Sequence, residues 1–247
     1  MLHPGEMGAA LGGVLLGAGH DVVWASEGRS DATARRAADF VDAGTVAELA
    51  RRCDTILSVC PPHAAVGVAR GLAGFGGVYV DANAVSPATA RAVGEVVPRA
   101  SFVDGGIVGG PDDVRLYLSG DTASRVAALF DGTRVATFVL SDRIGDASAM
   151  KMVYAAWTKG AAAMLLAVRG VARASGLEDE LVSAWDDTIP GLAAQSERAA
   201  RSAEAKGWRW EFEMEEIAAT FADAGLPDGF HLAAAEMFRR AAEDAED

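Results

Sequence analysis

Apolar positions recur along this chain with two different periods, and the change falls near residue 145. Upstream, short apolar runs of strand length alternate with segments of helical period. The pattern predicts a helix over 7–18, a strand over 21–26, a helix from the polar turn at 27–31 to residue 38, and a short strand at 40–41. Thr45 and Glu48 have capping-box spacing for a helix running to Arg52. The run 55–60 reads as a strand stopped by Pro61-Pro62, and 78–80 as another ending at Asp81. Ser86-Pro87 opens a helix, with serine as N-cap and proline in the first turn. A strand at 102–103 leads into a glycine-rich loop, 114–119 alternates like a strand with one wetter face, and 135–140 is the last strand. Such alternation predicts a doubly wound, Rossmann-like α/β sheet.

Downstream, no strand run is found. Helical periods cover 146–174, 178–188, 191–205, 212–224 and 230–243, punctuated by Gly176, Gly191, Gly207 and the turn Gly225-Leu226-Pro227-Asp228-Gly229. The first segment is long and Ala-rich with small residues on several faces, which suits a helix buried all round. The acidic tail beyond Arg240 is expected to fray. The expected organisation is therefore a dinucleotide-binding domain over 1–144 and an all-α domain over 145–247.

Composition narrows the function classes. The 247 residues are 51% hydrophobic and carry a formal charge of −13. With no run of five or more Lys or Arg, nucleic acid and anionic membranes are poor partners, and a small-molecule substrate is expected instead. The two cysteines, Cys53 and Cys60, flank a strand run and suit a reducing cytoplasm rather than a disulfide framework. No nucleophile elbow appears, and no Cys/His/carboxylate spacing reads as a metal site.

The chemistry begins at the start of the chain. In His3-Pro4-Gly5-Glu6-Met7-Gly8, Gly5 and Gly8 hold the second and third glycine positions of the dinucleotide fingerprint, and His3 takes the first. Glycine there lets backbone N–H groups approach a pyrophosphate at a helix N-terminus. Glu27 falls where a ribose-binding acid is expected, about twenty residues on. The fingerprint normally follows a central strand, but only Met1 and Leu2 precede it here, so that strand is expected to be truncated and the true chain to start earlier.

From this point the order of motifs resembles the 3-hydroxyacid dehydrogenase superfamily, which includes 3-hydroxyisobutyrate and 6-phosphogluconate dehydrogenases. The similarity runs through His3 to Gly8, with Met7 at the family's methionine, and the strand-end loop Ser58-Val59-Cys60-Pro61-Pro62. It continues through Asp81-Ala82-Asn83-Ala84-Val85-Ser86-Pro87, Phe102-Val103-Asp104-Gly105-Gly106-Ile107-Val108-Gly109-Gly110 and the segment from Gly145 to Ala155 around Lys151. The pieces Leu2 to Gly8, Tyr154 to Gly160 and Gly225 to His231 also resemble a less characterised bacterial branch.

The resemblance implies a nicotinamide cofactor, a homodimer formed through the helical domain, and Lys151 as the group that handles the proton beside the reacting oxygen. It assigns Pro4, Gly5, Glu6, Met7, Gly8, Ser26, Glu27, Arg29, Ser30, Cys60, Pro61, Pro62 and Asn83 to the cofactor. Asn83, Val108, Gly109, Gly110, Lys151 and Tyr154 fall to the substrate. Arg29-Ser30 resembles the NADP-preferring pattern, whereas Glu27 would favour NAD. NADP is expected, with NAD possible.

Departures from the family pattern gather where substrate would sit. The family's catalytic Asn is Ala155 and its neighbour Tyr154; Asn83 and Val108 replace serines, and Glu215 stands where a C-terminal lysine is usual. Tyr154 either relays a proton or packs as an aromatic. Trp208 and Trp210 are expected on a loop, His231 at a helix start, and Lys159 in a structural role. The leading expectation is an oxidoreductase acting on a hydroxy, keto or imino compound of partly apolar character. Lys151 argues against an imine reductase, since those relatives usually carry Asp or Tyr there. The alternative is a non-catalytic nucleotide-binding or partner-binding protein that kept the fold.

Overall fold

The computed structural model describes residues 1–243, so the last of the acidic tail lies outside the described residues. The chain divides into two compact units, Met1–Met152 and Val153–Asp247.

In the first unit, α1 (Glu6–Gly17), β1 (Val23–Trp24), α2 (Asp31–Arg36), β2 (Val41–Asp42), α3 (Val46–Arg52) and β3 (Thr55–Ser58) come first. They are followed by α4 (Ala65–Arg70), β4 (Val78–Asp81), α5 (Pro87–Val96), β5 (Ser101–Val108), β6 (Arg115–Ser119), α6 (Ala123–Ala128) and β7 (Ala136–Ser141). The caps read from sequence form: Thr45 accepts the Glu48 N–H at 3.1 Å and Ser86 that of Thr89 at 3.2 Å.

The main sheet has the order β3-β4-β5-β6-β7. Its first three strands are parallel, β6 runs antiparallel to β5, and β7 lies parallel to β6. Alternate strand residues face opposite layers. Leu57, Val78 and Val80 pack with Leu11 of α1 and Val126 of α6, while Ile56 and Tyr79 pack with Leu49 of α3, Ala69 of α4 and Val93 of α5. Helices therefore cover both faces, as in a doubly wound sheet.

β1 and β2 form a separate parallel pair. Met1 and Leu2 bridge the two sheets: the Leu2 N–H donates to Leu57 O at 3.0 Å, and the Met1 amino group to Val23 O at 2.8 Å. Burial lowers that amino group to about 6.

Two expected elements differ. The glycine-rich loop after residue 103 is strand: β5 runs on through Gly105 and Gly106 to Val108, paired throughout with β6. The paired β6 overrides the weak strand propensity of glycine.

α7 (Asp146–Ala174) begins in the first unit and continues into the second, which adds α8 (Glu178–Thr188), α9 (Leu192–Asp223) and α10 (Gly229–Glu243). The break expected between 205 and 212 does not occur, because α9 is continuous and carries Trp208 and Trp210. Gly207 is a packing glycine: a Cβ there would lie 2.8 Å from the Phe238 carbonyl oxygen on α10. Trp210 meets the Phe238 ring edge-on at 5.1 Å, and Lys159 stands 5.6 Å over Trp210 while pairing with Glu213. His231 is buried against Phe221, ring centres 4.2 Å apart.

Candidate active site in the first unit

The glycine loop leaves the Leu2–Leu57 pairing and turns into α1. The Gly5 N–H donates to His3 O at 2.9 Å, and a Cβ at Gly8 would lie 2.2 Å from that same oxygen. Only glycine at position 8 lets the turn close. At Gly5 nothing else comes within 4 Å of a Cβ position, and no side chain caps the α1 N-terminus. The first-turn amides therefore keep their hydrogen-bonding capacity for an anion.

Arg29, from the turn after β1, is half-buried and interacts electrostatically with both His3 and Cys60. Among the described residues its Nε is buried without a hydrogen-bond partner, as is Nδ1 of His3. Burial first, then the Arg29 charge, holds His3 down to about 4, so the ring is neutral at physiological pH. Ser30 caps α2 by accepting the Thr33 N–H at 3.3 Å. Glu27 is exposed, and Ser26 donates its N–H to Asp42 at 3.3 Å.

The proline loop is braced from β4. Asn83 is only 2% exposed; its Oδ1 accepts the Cys60 N–H at 2.5 Å and its Nδ2 donates to Asp81. Asn83 thus orients the backbone of Cys60, Pro61 and Pro62. Burial, followed by the Asp81 charge, pushes the Cys60 thiol up to about 12, which makes it an inert thiol at neutral pH.

Lys151 is placed by a different carboxylate. Asp104, fully buried on β5, accepts from Ser119 Oγ (2.9 Å), the Gly145 N–H (3.0 Å) and the Ser148 N–H (3.0 Å) on Oδ2, and from Ser148 Oγ (2.6 Å) on Oδ1. Those bonds stake the first turn of α7 to the sheet. One turn further, α7 presses on β5: a Cβ at Gly106 would come 2.6 Å from Ala147 O and 2.9 Å from Lys151 Cβ. Asp81, the last residue of β4, pairs with Asp104, so Gly106 lies beyond the carboxyl end of that strand. Lys151 and the glycine loop therefore stand at the same, carboxyl end of the sheet, where open α/β sheets bind ligands.

The remaining residues named from sequence separate. Pro4 and Pro62 are buried, Glu6 is exposed, and Met7, in the first turn of α1, packs on the core. Val108 is buried, while Gly109 and Gly110 are exposed at the turn after β5. Tyr154, three residues past Lys151 on α7, is 44% exposed. Sequence reasoning gave no role to Asp81 or Asp104. A signal was available, because both end an apolar strand run, in Val78-Tyr79-Val80-Asp81 and Phe102-Val103-Asp104.

Comparison with known proteins bears on the fold. Residues 172–241 match a family described as a domain of unknown function (DUF1932). An uncharacterised 28.5 kDa protein of Methanothermus fervidus is 33% identical over 143 residues, covering 57% of this chain and 57% of that protein, so the match spans little more than half of the relative. A conserved protein of unknown function, itself described as structurally similar to 3-hydroxyacid dehydrogenases, is 28% identical over 99% of this chain and 96% of its own, with a TM-score of 0.70. A 3-hydroxyisobutyrate dehydrogenase from Salmonella typhimurium superposes with a TM-score of 0.73 at 18% identity, covering 98% and 93% of the two chains. For a reductive aminase from Aspergillus terreus in complex with NADPH and ethyl-5-oxohexanoate, the values are 0.62, 19%, 98% and 92%. The chain has the 3-hydroxyacid dehydrogenase fold.

Proposed function

We propose that this protein is an NAD(P)-dependent oxidoreductase acting on a hydroxy, keto or imino small molecule of partly apolar character. The observation that carries this reading is the shared location of an anion-ready glycine loop and a lysine at the carboxyl end of one sheet. The residues fit a dinucleotide: the open position at Gly5, the uncapped α1 N-terminus and the buried Arg29 Nε are groups a diphosphate or ribose phosphate would complete. The NADPH bound to the Aspergillus terreus aminase on the same fold supports a nicotinamide cofactor, and Arg29 favours NADP. When bound, the nicotinamide supplies or accepts the hydride.

The chain supplies the rest. Pro4 to Gly8 cradle the diphosphate, and the loop Cys60-Pro61-Pro62, held by Asn83, supports the nicotinamide end. Lys151 Nζ gives a proton to, or takes one from, the reacting oxygen or nitrogen, while Tyr154 offers a second donor on the same helix. Gly109 and Gly110 border the substrate. The free thiols Cys53 and Cys60 suit a cytoplasmic setting.

A second reading, a nucleotide-binding protein without catalysis, draws on the buried Asn83, Val108 and Ala155, none of which presents a polar group to a substrate. One experiment separates the two. NADPH and NADH are titrated calorimetrically, and turnover is followed with a panel of alcohols, ketones and imines, for the wild type and for Lys151→Met, Tyr154→Phe and Arg29→Ala. Catalysis by Lys151 predicts a loss of roughly 10²–10⁴ in turnover for Lys151→Met with cofactor affinity nearly unchanged, and a smaller loss for Tyr154→Phe. Arg29→Ala should weaken NADPH selectively. Cofactor binding without turnover favours the second reading, and absence of cofactor binding rejects both.

A further inference from the structure

His3 stands at the first glycine position of the dinucleotide fingerprint, and its backbone is pinned there by the turn. Its carbonyl accepts the Gly5 N–H at 2.9 Å and lies where a Cβ on Gly8 would collide. The ring is half-buried, and its Nδ1 has no hydrogen-bond partner among the described residues. Arg29 repeats the pattern from the turn after β1, with a buried Nε that also lacks one. Buried polar atoms in folded proteins are nearly all paired. A guanidinium Nε only donates, and a protonated imidazole donates from both nitrogens, so one oxyanion can serve the two residues together.

The charges around the pair make an anion the fitting partner. Arg29 and the Met1 amino group act on His3, and Cys60 acts on Arg29; none of the three is a carboxylate. Cys60 is a neutral thiol at neutral pH, so it does not offset the guanidinium. The field of Arg29 therefore adds to burial in keeping the imidazole neutral. An anion placed against both side chains reverses that balance, because it offsets Arg29 and favours the charged ring.

We propose, on the dinucleotide reading given above, that His3 and Arg29 together seat one phosphate of the cofactor and that His3 takes a proton from solvent as that phosphate arrives. The proton returns to solvent when the cofactor leaves. Proton and cofactor then strengthen each other's binding by the same factor. The glycine that the fingerprint normally carries at this position has no side chain to titrate, so the coupling belongs to the histidine. Two phosphates can supply the charge: the diphosphate, shared by NAD and NADP, and the ribose 2′-phosphate, carried by NADP alone.

Calorimetry in buffers of different ionisation enthalpy counts the protons taken up on binding, and His3→Asn keeps a polar atom near Nδ1 without a titrating ring. Proton changes on the Met1 amine and on the phosphate itself are common to both proteins, so their difference isolates the ring. An opposite charge within about 4–6 Å lifts an imidazole by about 1–3 pH units, from about 4 in the free protein. The wild type should therefore take up roughly half a proton more than His3→Asn when NADPH binds at pH 6. Excess uptake with NADPH alone assigns the 2′-phosphate, and equal uptake with NADH assigns the diphosphate. NMR titration of the His3 C2 proton in the wild type, with and without cofactor, reads the same event without any variant. Cofactor binding with no excess uptake, or a His3 ring whose titration the cofactor leaves unchanged, would overturn the proposal and leave the oxidoreductase reading standing. Failure of both cofactors to bind would reject the two together.

Discussion

Asp81 and Asp104 stand opposite one another on neighbouring strands, both fully buried, and are treated in opposite ways. Asp104 receives Ser119, Ser148 and the Gly145 and Ser148 amides, a donor set that suits a charged carboxylate. Asp81 is served by Asn83, and its Oδ2 has no hydrogen-bond partner among the described residues. Burial, then the charge of Asp104, raises Asp81 to about 8, so at neutral pH it keeps its proton. Equal depth therefore does not imply equal surroundings; the supply of donors differs between the two carboxyls. The division is also one of labour. Asp104 anchors the helix of Lys151, and Asp81 anchors the amide that holds the proline loop.

The sharpest way to break this asymmetry is Asp104→Ala. It leaves buried neutral donors from two segments without an acceptor and should cost at least about 1–3 kcal/mol, the usual penalty for one such group left unpaired. Urea denaturation measures it; a loss under 1 kcal/mol would mean that water replaces the carboxylate and the anchor is dispensable.

Asp81→Asn tests the other half through pH. The folded protein holds a proton on Asp81 that the unfolded chain releases near the ordinary carboxylate value. That contribution is complete below the unfolded value and declines as pH rises towards about 8. The wild-type melting temperature should accordingly fall across this window, and that of Asp81→Asn should fall less, so the two curves diverge as pH increases. Parallel curves would place the proton elsewhere.

The smallest effect is expected from Asn83→Ala. Loss of one backbone brace at Cys60 should lower stability by about 1 kcal/mol. Cofactor affinity should fall severalfold because the proline loop is no longer preset. Unchanged affinity in calorimetry would detach that loop from the cofactor.

Much of the scaffold was legible because its signals are local. Apolar runs marked the strands, Thr45 and Ser86 marked helix starts, and the long period after Gly145 gave α7 over its observed span. What stayed hidden depends on neighbours distant in sequence. Gly105 and Gly106 looked like a loop until β6 paired with them, and Gly207 looked like a break until α10 lay across it. Asn83 was expected to face a ligand, yet its amide is taken up by Cys60 and Asp81, contacts that motif order cannot reveal. The glycine loop was placed correctly in the fold, but the burial of Arg29 Nε and the effect of the Arg29 charge on His3 were not foreseen.

The contact between Gly106 and Lys151 bears on how this protein is altered by design. A library aimed at new substrates would naturally randomise the glycines around 105–110. Position 106 should be kept out of it, since any side chain there meets the stem of Lys151 and the backbone of Ala147. Gly110, exposed and with nothing within 4 Å of a Cβ position, takes a side chain without collision. Diversity belongs at residue 110, four positions away from where an engineer would lose the lysine's footing.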